Sequence, residues 1–244
     1  VQRQVQINVK GVIVNNNDKW IYEWFGIEAV SPSDISNQIQ KAMGEDLEVE
    51  INSGGGDVYA GSEIYTALKS YKGNVLVKIV GVAASAASVI AMAGKKVIMS
   101  PTAQLMIHNV WSMASGDYRT FEHEAEVLKG HNQGIANAYM LKTGMKQKEL
   151  LDLMNKETYF NAQQALKNNF VDEIMFNEQN TLVASTTNSM IPQEIIEKMR
   201  NHLKSMEINE IESTEPKKTD ANISDNIKKT QAKLNLLKLM EVKA

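Results

Sequence analysis

The chain holds 244 residues, with 26 Lys plus Arg against 29 Asp plus Glu for a formal net charge of −3, four His, no Cys and a 43% apolar share. That length suits one globular domain of up to roughly 200 residues with an appendage, and the near-neutral balance argues against a polyanion binder, because phosphate contacts need a surplus of Lys and Arg. The lack of cysteine excludes disulfides, thiolate catalysis and Cys-ligated metal, and the longest apolar stretch, Gly81 to Gly94, falls short of the roughly 20 residues that a membrane helix requires.

Val5-Gln6-Ile7-Asn8-Val9 alternates apolar with polar, the pattern of a half-buried strand. Ser33-Asp34 marks a helix start ahead of Ile35, Ile39 and Ala42, with Gly44 as its stop. Leu47 to Ile51 reads as the next strand and runs into Asn52-Ser53-Gly54-Gly55-Gly56-Asp57, after which Ile64, Leu68 and Tyr71 recur at helical spacing. Val75 to Val80 is dense in β-branched residues and predicts a buried strand ending at Gly81, followed by a small-residue helix from Ala83 to Ala93. Lys96 to Met99 and Leu105 to His108 are two further strands. Residues 117–142 read as one long helix with Phe121, Ala125, Leu128, Ile135 and Ala138 on its apolar side. Shorter helices near 146–155 and 161–168 precede a last strand from Phe170 to Met175.

Strands alternating with helices imply βαβ units, an α/β fold and a mainly parallel sheet. The composition changes after residue 176, which sets the expected domain at 1–176 and leaves 177–244 as a helical or flexible C-terminal extension. In that extension Pro192 opens a helical pattern through Ile195, Ile196, Met199 and Leu203, and Ser224-Asp225 precedes another through Ile227, Leu234, Leu237 and Met240. In such a sheet, function is expected where strand ends meet helix N-termini.

Two segments occupy such junctions. The three glycines 54–56 sacrifice side-chain burial, so they serve either a tight turn or a backbone that approaches a ligand carbonyl or oxyanion. Asp57 follows where a phosphate loop needs Lys and Ser or Thr, which disfavours nucleotide binding. In Gly81-Val82-Ala83-Ala84-Ser85-Ala86-Ala87-Ser88 the small residues suit close packing, and Ser85 at a helix start also suits a nucleophile; Ser88, one turn on, is its competitor. Of the four histidines, His123 and His131 fall in the long helix and His202 in the tail, where each reads as a solvated side chain. His108 ends an apolar strand and is the best base. Spacing does not choose among the 29 carboxylates for a group to orient it.

These segments resemble the proteolytic subunit of the Clp protease (ClpP), and more closely its phage and prophage relatives, the head maturation proteases. Asn52 to Val58 is similar to the family's Asn-Ser-Pro-Gly-Gly segment, with Gly54 in place of the proline. Gly81 to Ala86 is similar to the Gly-x-Ala-Ala-Ser block that carries the nucleophile, and Met106-Ile107-His108 to the Met-Ile-His segment that carries the base. The run Ala83 to Ser88, continuing through Met92-Ala93-Gly94, has the character of the phage branch. Counting back five residues from Ala162 gives Glu157 at the family's Asp position, with Asn169 replacing a glycine further on and Asp152 or Asp172 as alternatives.

The resemblance implies a ClpP/crotonase-like fold of repeated βαβ units with a long handle helix. It also implies a serine endopeptidase in which Ser85 attacks, His108 shuttles the proton, Glu157 orients His108, and the Gly56 and Ala86 N–H groups form the oxyanion hole. Substrate would lie extended between Gly55, Asp57 and Val58 on one side and Trp111, Ser112 and Met113 on the other, paired as an added strand. No metal or cofactor is needed. The implied partners are further copies of the chain in a heptameric ring or double ring joined through the long helix, a protein substrate such as capsid or scaffold, and an AAA+ ATPase, with neither nucleic acid nor membrane. No basic segment followed by an apolar one opens the sequence, so the expected location is the bacterial host cytoplasm or the phage prohead. Alternatives are a crotonase-type acyl-CoA enzyme, which would need neither Ser85 nor His108, and a non-catalytic ring-forming assembly protein.

Overall fold

The computed structural model describes residues 4–176; the extension 177–244 and both helices expected in it lie outside the described residues. The chain runs β1 (Gln4–Ile13), α1 (Lys19–Trp24), β2 (Ala29–Val30), α2 (Pro32–Lys41), β3 (Asp46–Gly56), α3 (Val58–Lys69), β4 (Val75–Ala84) and α4 (Ala86–Ala91). It continues through β5 (Lys96–Met99), β6 (Gln104–Ile107), α5 (Tyr118–Thr143), α6 (Gln147–Asn155), β7 (Thr158–Asn161), α7 (Ala162–Lys167) and β8 (Glu173–Ile174). The result is an α/β protein built on an eight-stranded sheet ordered β2-β1-β3-β4-β5-β8, with β6 paired to β4 and β7 paired to β6. Every pairing is parallel except β6 with β7.

Alternation within the strands decides which face is covered. Leu47, Val49 and Ile51 of β3 are fully buried beside Ile7 and Val9 of β1 and Val77 and Ile79 of β4. The intervening residues point the other way and hold charges, with Lys10 paired to Glu50 at 3.3 Å and Lys78 to Glu48 at 2.8 Å across neighbouring strands. Ile64 and Leu68 of α3 and Ala87, Ile90 and Ala91 of α4 join the same core.

Helix ends follow local chemistry. The Asp34 carboxylate accepts from both the N–H and the Oγ of Ser31 at 2.8 Å, and Pro32 supplies the first helical residue, so α2 starts one residue before the Ser33-Asp34 signal, with Ser31 as its N-cap. Asp117 caps α5 by accepting from Arg119 N at 3.1 Å and Thr120 N at 3.3 Å, and Gly144 ends it in a left-handed conformation at φ 74°. Only the last third of α5 is buried, through Ala136, Ala138, Tyr139 and Thr143.

Three expectations need correction. The glycines continue β3 to Gly56 rather than forming a separate loop, and Ala83-Ala84 complete β4, so α4 begins at Ala86 and not Ala83. The apolar run at 170–175 is a strand only at Glu173–Ile174, because Phe170 instead packs edge-on against Tyr139 (5.9 Å) and beside Phe160 (4.9 Å). The strand β7 is absent from the expected elements: Thr158, Tyr159 and Phe160 favour a strand but are a short run between two helical patterns, and they pair antiparallel with β6.

Asp172 closes the far side of the sheet: its Oδ2 accepts from Val97 N at 2.6 Å and from Lys142 Nζ at 2.5 Å, and the Lys142 side chain is 9% exposed. Asp172→Ala leaves a strand N–H and a sheltered ammonium without their acceptor. We expect it to lower the unfolding free energy by about 2 kcal/mol, measured as a shifted urea midpoint at unchanged slope.

Candidate active site

Strands β3, β4 and β6 are neighbours and parallel, so their C-terminal ends share one edge. The glycines end β3, Ser85 follows β4 and His108 follows β6. Partway along its length β4 changes partner, pairing Leu76–Ile79 with β5 and Val82–Ala84 with β6. That handover brings the strand that leads to His108 beside Ser85: Ala84 is in register with Met106, and Ser85 N donates to Met106 O at 3.0 Å.

Ser85 has φ 54° and ψ −126°, a backbone conformation that costs a non-glycine residue about 1–3 kcal/mol. The neighbours hold it there. Its carbonyl accepts from Ser88 N at 2.9 Å, Val89 N at 3.3 Å and Ser88 Oγ at 2.6 Å. The turn separates strand from helix within one residue and leaves Ser85 lining the adjoining cleft. Its Oγ lies 2.8 Å from His108 Nε2. With Nε2 as acceptor, the imidazole can take the hydroxyl proton as oxygen attacks a carbonyl.

Ser88 is excluded as nucleophile: it is fully buried, and its Oγ is bonded to the Ser85 carbonyl and, at 2.7 Å, to Tyr139 Oη. Burial raises the Tyr139 pKa well above that of an exposed tyrosine, with the Ser88 bond opposing it, so the phenol stays protonated. The pairing of Ser88 with Tyr139 was not legible in sequence, although a tyrosine on the buried end of α5 and a serine one turn after Ser85 were its two halves.

The carboxylates sort by position. Asp172 is committed to Val97 and Lys142, and Asp152 lies on α6 in a shallow surface depression with Lys146, Lys148 and Lys156. Glu157 sits at the turn into β7 with φ 47°. Since Ile107 is in register with Thr158, the antiparallel ladder sets Glu157 next to His108 just past its end. Its side chain is exposed and accepts from Tyr159 Oη at 3.4 Å, and among the described residues His108 has no hydrogen bond or ion pair to any carboxylate. Asn109 Nδ2 donates to Asn155 Oδ1 at 2.8 Å, tying the residue after His108 to the end of α6.

The glycine segment fits against Ser85. A Cβ at Gly55 would lie 2.7 Å from Ser85 Cβ and 2.8 Å from Ala84 O, and one at Gly56 would lie 2.0 Å from Ile13 O; both residues have positive φ, 101° and 151°. The ladder with β4 ends at Ser53 and Ala83, so among the described residues Gly54 to Gly56 have no strand partner on that side. Ala86, the first residue of α4, has an N–H with no acceptor inside its own helix.

A cleft of about 1020 Å³ joins these groups. Gly56, Asp57, Val58, Ser85, Ala86, His108, Trp111 and Ser112 line it, whereas Gly55 backs Ser85 and Met113 lies outside. Asp57 has a structural task, since its Oδ1 caps α3 through Ala60 N at 2.7 Å. Trp111 and Met113 are 73% and 81% exposed on a segment without regular structure. His131 is not merely solvated: it meets Tyr59 edge-on and its Nε2 lies 3.1 Å from Tyr59 Oη.

A family model described as Clp protease matches residues 35–178. The chain is 29% identical over 133 residues to the ATP-dependent Clp protease proteolytic subunit of Deinococcus radiodurans, covering 54% of this chain and 65% of that protein. It is also 29% identical over 138 residues to the protein of the same name from Dehalococcoides mccartyi, covering 56% of this chain and 69% of that one. The match thus spans about two thirds of each relative's length.

Gly55→Ala drives a methyl group into Ser85 and strains a left-handed backbone. We expect fluorophosphonate labelling of Ser85 to slow by about tenfold or more, equivalent to about 1.4 kcal/mol or more in the barrier, measured by intact-mass kinetics on folded protein.

Proposed function

The chain belongs to the Clp protease family, and from that premise we propose that it is a serine endopeptidase acting through Ser85 and His108. The observation that carries this reading is the 2.8 Å contact between Ser85 Oγ and His108 Nε2 at the floor of an open cleft. Ser85 attacks the peptide carbonyl while its proton passes to His108 Nε2; the tetrahedral oxyanion is met by the N–H groups of Ala86 and Gly56. Collapse expels the amine, which takes the proton back from His108, and water then hydrolyses the ester by the same route. Substrate backbone pairs along Gly54 to Gly56, the side of β3 without a strand partner, and passes Trp111 and Ser112. Such pairing reads backbone more than side chains, so selectivity among sequences is weak.

Glu157 is the carboxylate proposed to orient His108. Its support is the β6–β7 register, which makes the two residues backbone neighbours, together with the commitment of Asp172 to Val97 and Lys142 and the place of Asp152 in a surface depression on α6. Turning the exposed Glu157 side chain from Tyr159 toward Nδ1 would complete the triad.

Self-assembly is supported by α5, whose Tyr118, Phe121 and Val127 are 70%, 52% and 37% exposed with no cover from this chain's described residues. A heptameric ring or double ring joined through α5 follows from the resemblance, and an AAA+ ATPase as feeder follows from the relatives' printed name, which calls them ATP-dependent. The small-residue run from Ala83 to Ser88 supports the narrower reading of a phage or prophage head maturation protease that cuts capsid or scaffold in the host cytoplasm or prohead. No helix among the described residues is long and apolar enough to cross a membrane.

Ser85→Ala is expected to reduce cleavage of a denatured protein or peptide reporter by on the order of 10⁴-fold or more; undiminished turnover would overturn the reading. A fluorophosphonate that leaves the assembled wild type unmodified would point to a non-catalytic assembly protein. For the third group, Glu157→Gln should lower kcat by on the order of 10²-fold or more while Asp152→Asn leaves it within about twofold; the reverse order would reassign the role.

A further inference from the structure

The buried hydroxyl pair behind the nucleophile has a defined direction. Ser88 Oγ carries one proton, which goes to the Ser85 carbonyl at 2.6 Å. The 2.7 Å contact with Tyr139 is therefore donated by the phenol. Both residues are inaccessible, at 0% and 1% exposure, and Tyr139 is fixed by its edge contact with Phe170 and by its place on α5. The Ser85 carbonyl and the Ala86 N–H belong to one peptide group, and a peptide group is planar. Whatever fixes the carbonyl oxygen fixes the direction of the N–H at the other end.

We propose that Tyr139 and Ser88 are positioning residues for the oxyanion hole: the relay Tyr139 Oη–H to Ser88 Oγ–H to Ser85 C=O sets and polarises the 85–86 peptide, and so aims the Ala86 N–H at the developing oxyanion. Hydrogen bonding at the carbonyl end strengthens the N–H as a donor, since linked hydrogen bonds polarise one another. The same bond helps to hold Ser85 at its positive φ. The relay deepens the serine endopeptidase reading and rests on it. Because the oxyanion exists only in the transition state, the relay acts on kcat and leaves KM nearly untouched.

The test is a cycle of Ser88→Ala, Tyr139→Phe and the double variant in the full chain. Each is assayed for kcat and KM on a peptide reporter and for the rate of fluorophosphonate labelling at Ser85, well below its thermal midpoint. We expect kcat and the labelling rate to fall about tenfold in Ser88→Ala and about three- to tenfold in Tyr139→Phe, with KM within twofold and the double variant no worse than Ser88→Ala. Two residues in one relay should not give multiplying effects. Values of kcat within twofold of wild type in either single variant, a loss carried by KM, or effects that multiply in the double variant would overturn the proposal. A lowered thermal midpoint with unchanged kcat would leave the pair a packing feature and overturn it too. Should Ser88→Ala fail to fold, Tyr139→Phe decides alone, since it keeps the ring and its Phe170 contact. A wild type that neither labels at Ser85 nor cleaves peptide would overturn the endopeptidase reading itself, an outcome distinct from wild-type activity with unaffected variants.

Discussion

A serine at φ 54° is the constraint around which the site is arranged. A strand ends and a helix begins on either side of that residue, so both elements crowd the same few ångströms of backbone. The crowding explains the composition nearby. A Cβ at Gly55 would strike Ser85, and one at Gly61 on α3 would come within 2.9 Å of Ala86 Cβ. Ala83, Ala86 and Ala87 are buried at 6% exposure or less. The small residues allow α3, α4 and the end of β3 to close on a turn whose own conformation is unfavourable, and the burial around it offsets the strain.

The parallel sheet brings the chemistry to one edge because neighbouring parallel strands finish on the same side. What distinguishes this sheet is that β4 serves two partners in succession, β5 along its first half and β6 at its end. The late arrival of β6 puts His108 beside Ser85, and the antiparallel β7 then brings Glu157 back alongside His108. Helix α5 divides its length between two tasks. Tyr118 and Phe121 of its first turns are uncovered by the described residues, while Tyr139 near its end reaches under the Ser85 turn to Ser88. A surface suited to association and a support of the site therefore share one rigid element.

Much of this was legible in the residue order. Alternation from Val5 to Val9 reported a half-buried strand, because the side-chain period of a strand is two, and Ile7 and Val9 are the residues that β1 buries there. The apolar side of residues 117–142 reported α5, and Asp117 and Gly144 fix its two ends through capping chemistry that is local by nature. Elsewhere the local signal misled. The alanines from 83 onward have high helix propensity, yet Ala83 and Ala84 are strand because β6 pairs with them, and long-range pairing outweighs propensity over so short a run. Likewise β7 exists only because β6 offers it an edge, and the apolarity of Phe170 and Val171 reflects packing under α5 rather than a strand.

Residue order drew attention to Ser85, His108 and the glycines because all of them fall where strands of a parallel sheet end, the edge at which function is expected. The tertiary structure decided the relations among them. It set Ser85 against His108, withdrew Ser88 into the core with Tyr139, and gave Asp172 to Val97 and Lys142. Those are contacts between residues 23 to 75 positions apart. Which distant groups meet depends on strand register and helix packing summed over the whole sheet, and no window of neighbouring residues contains that sum.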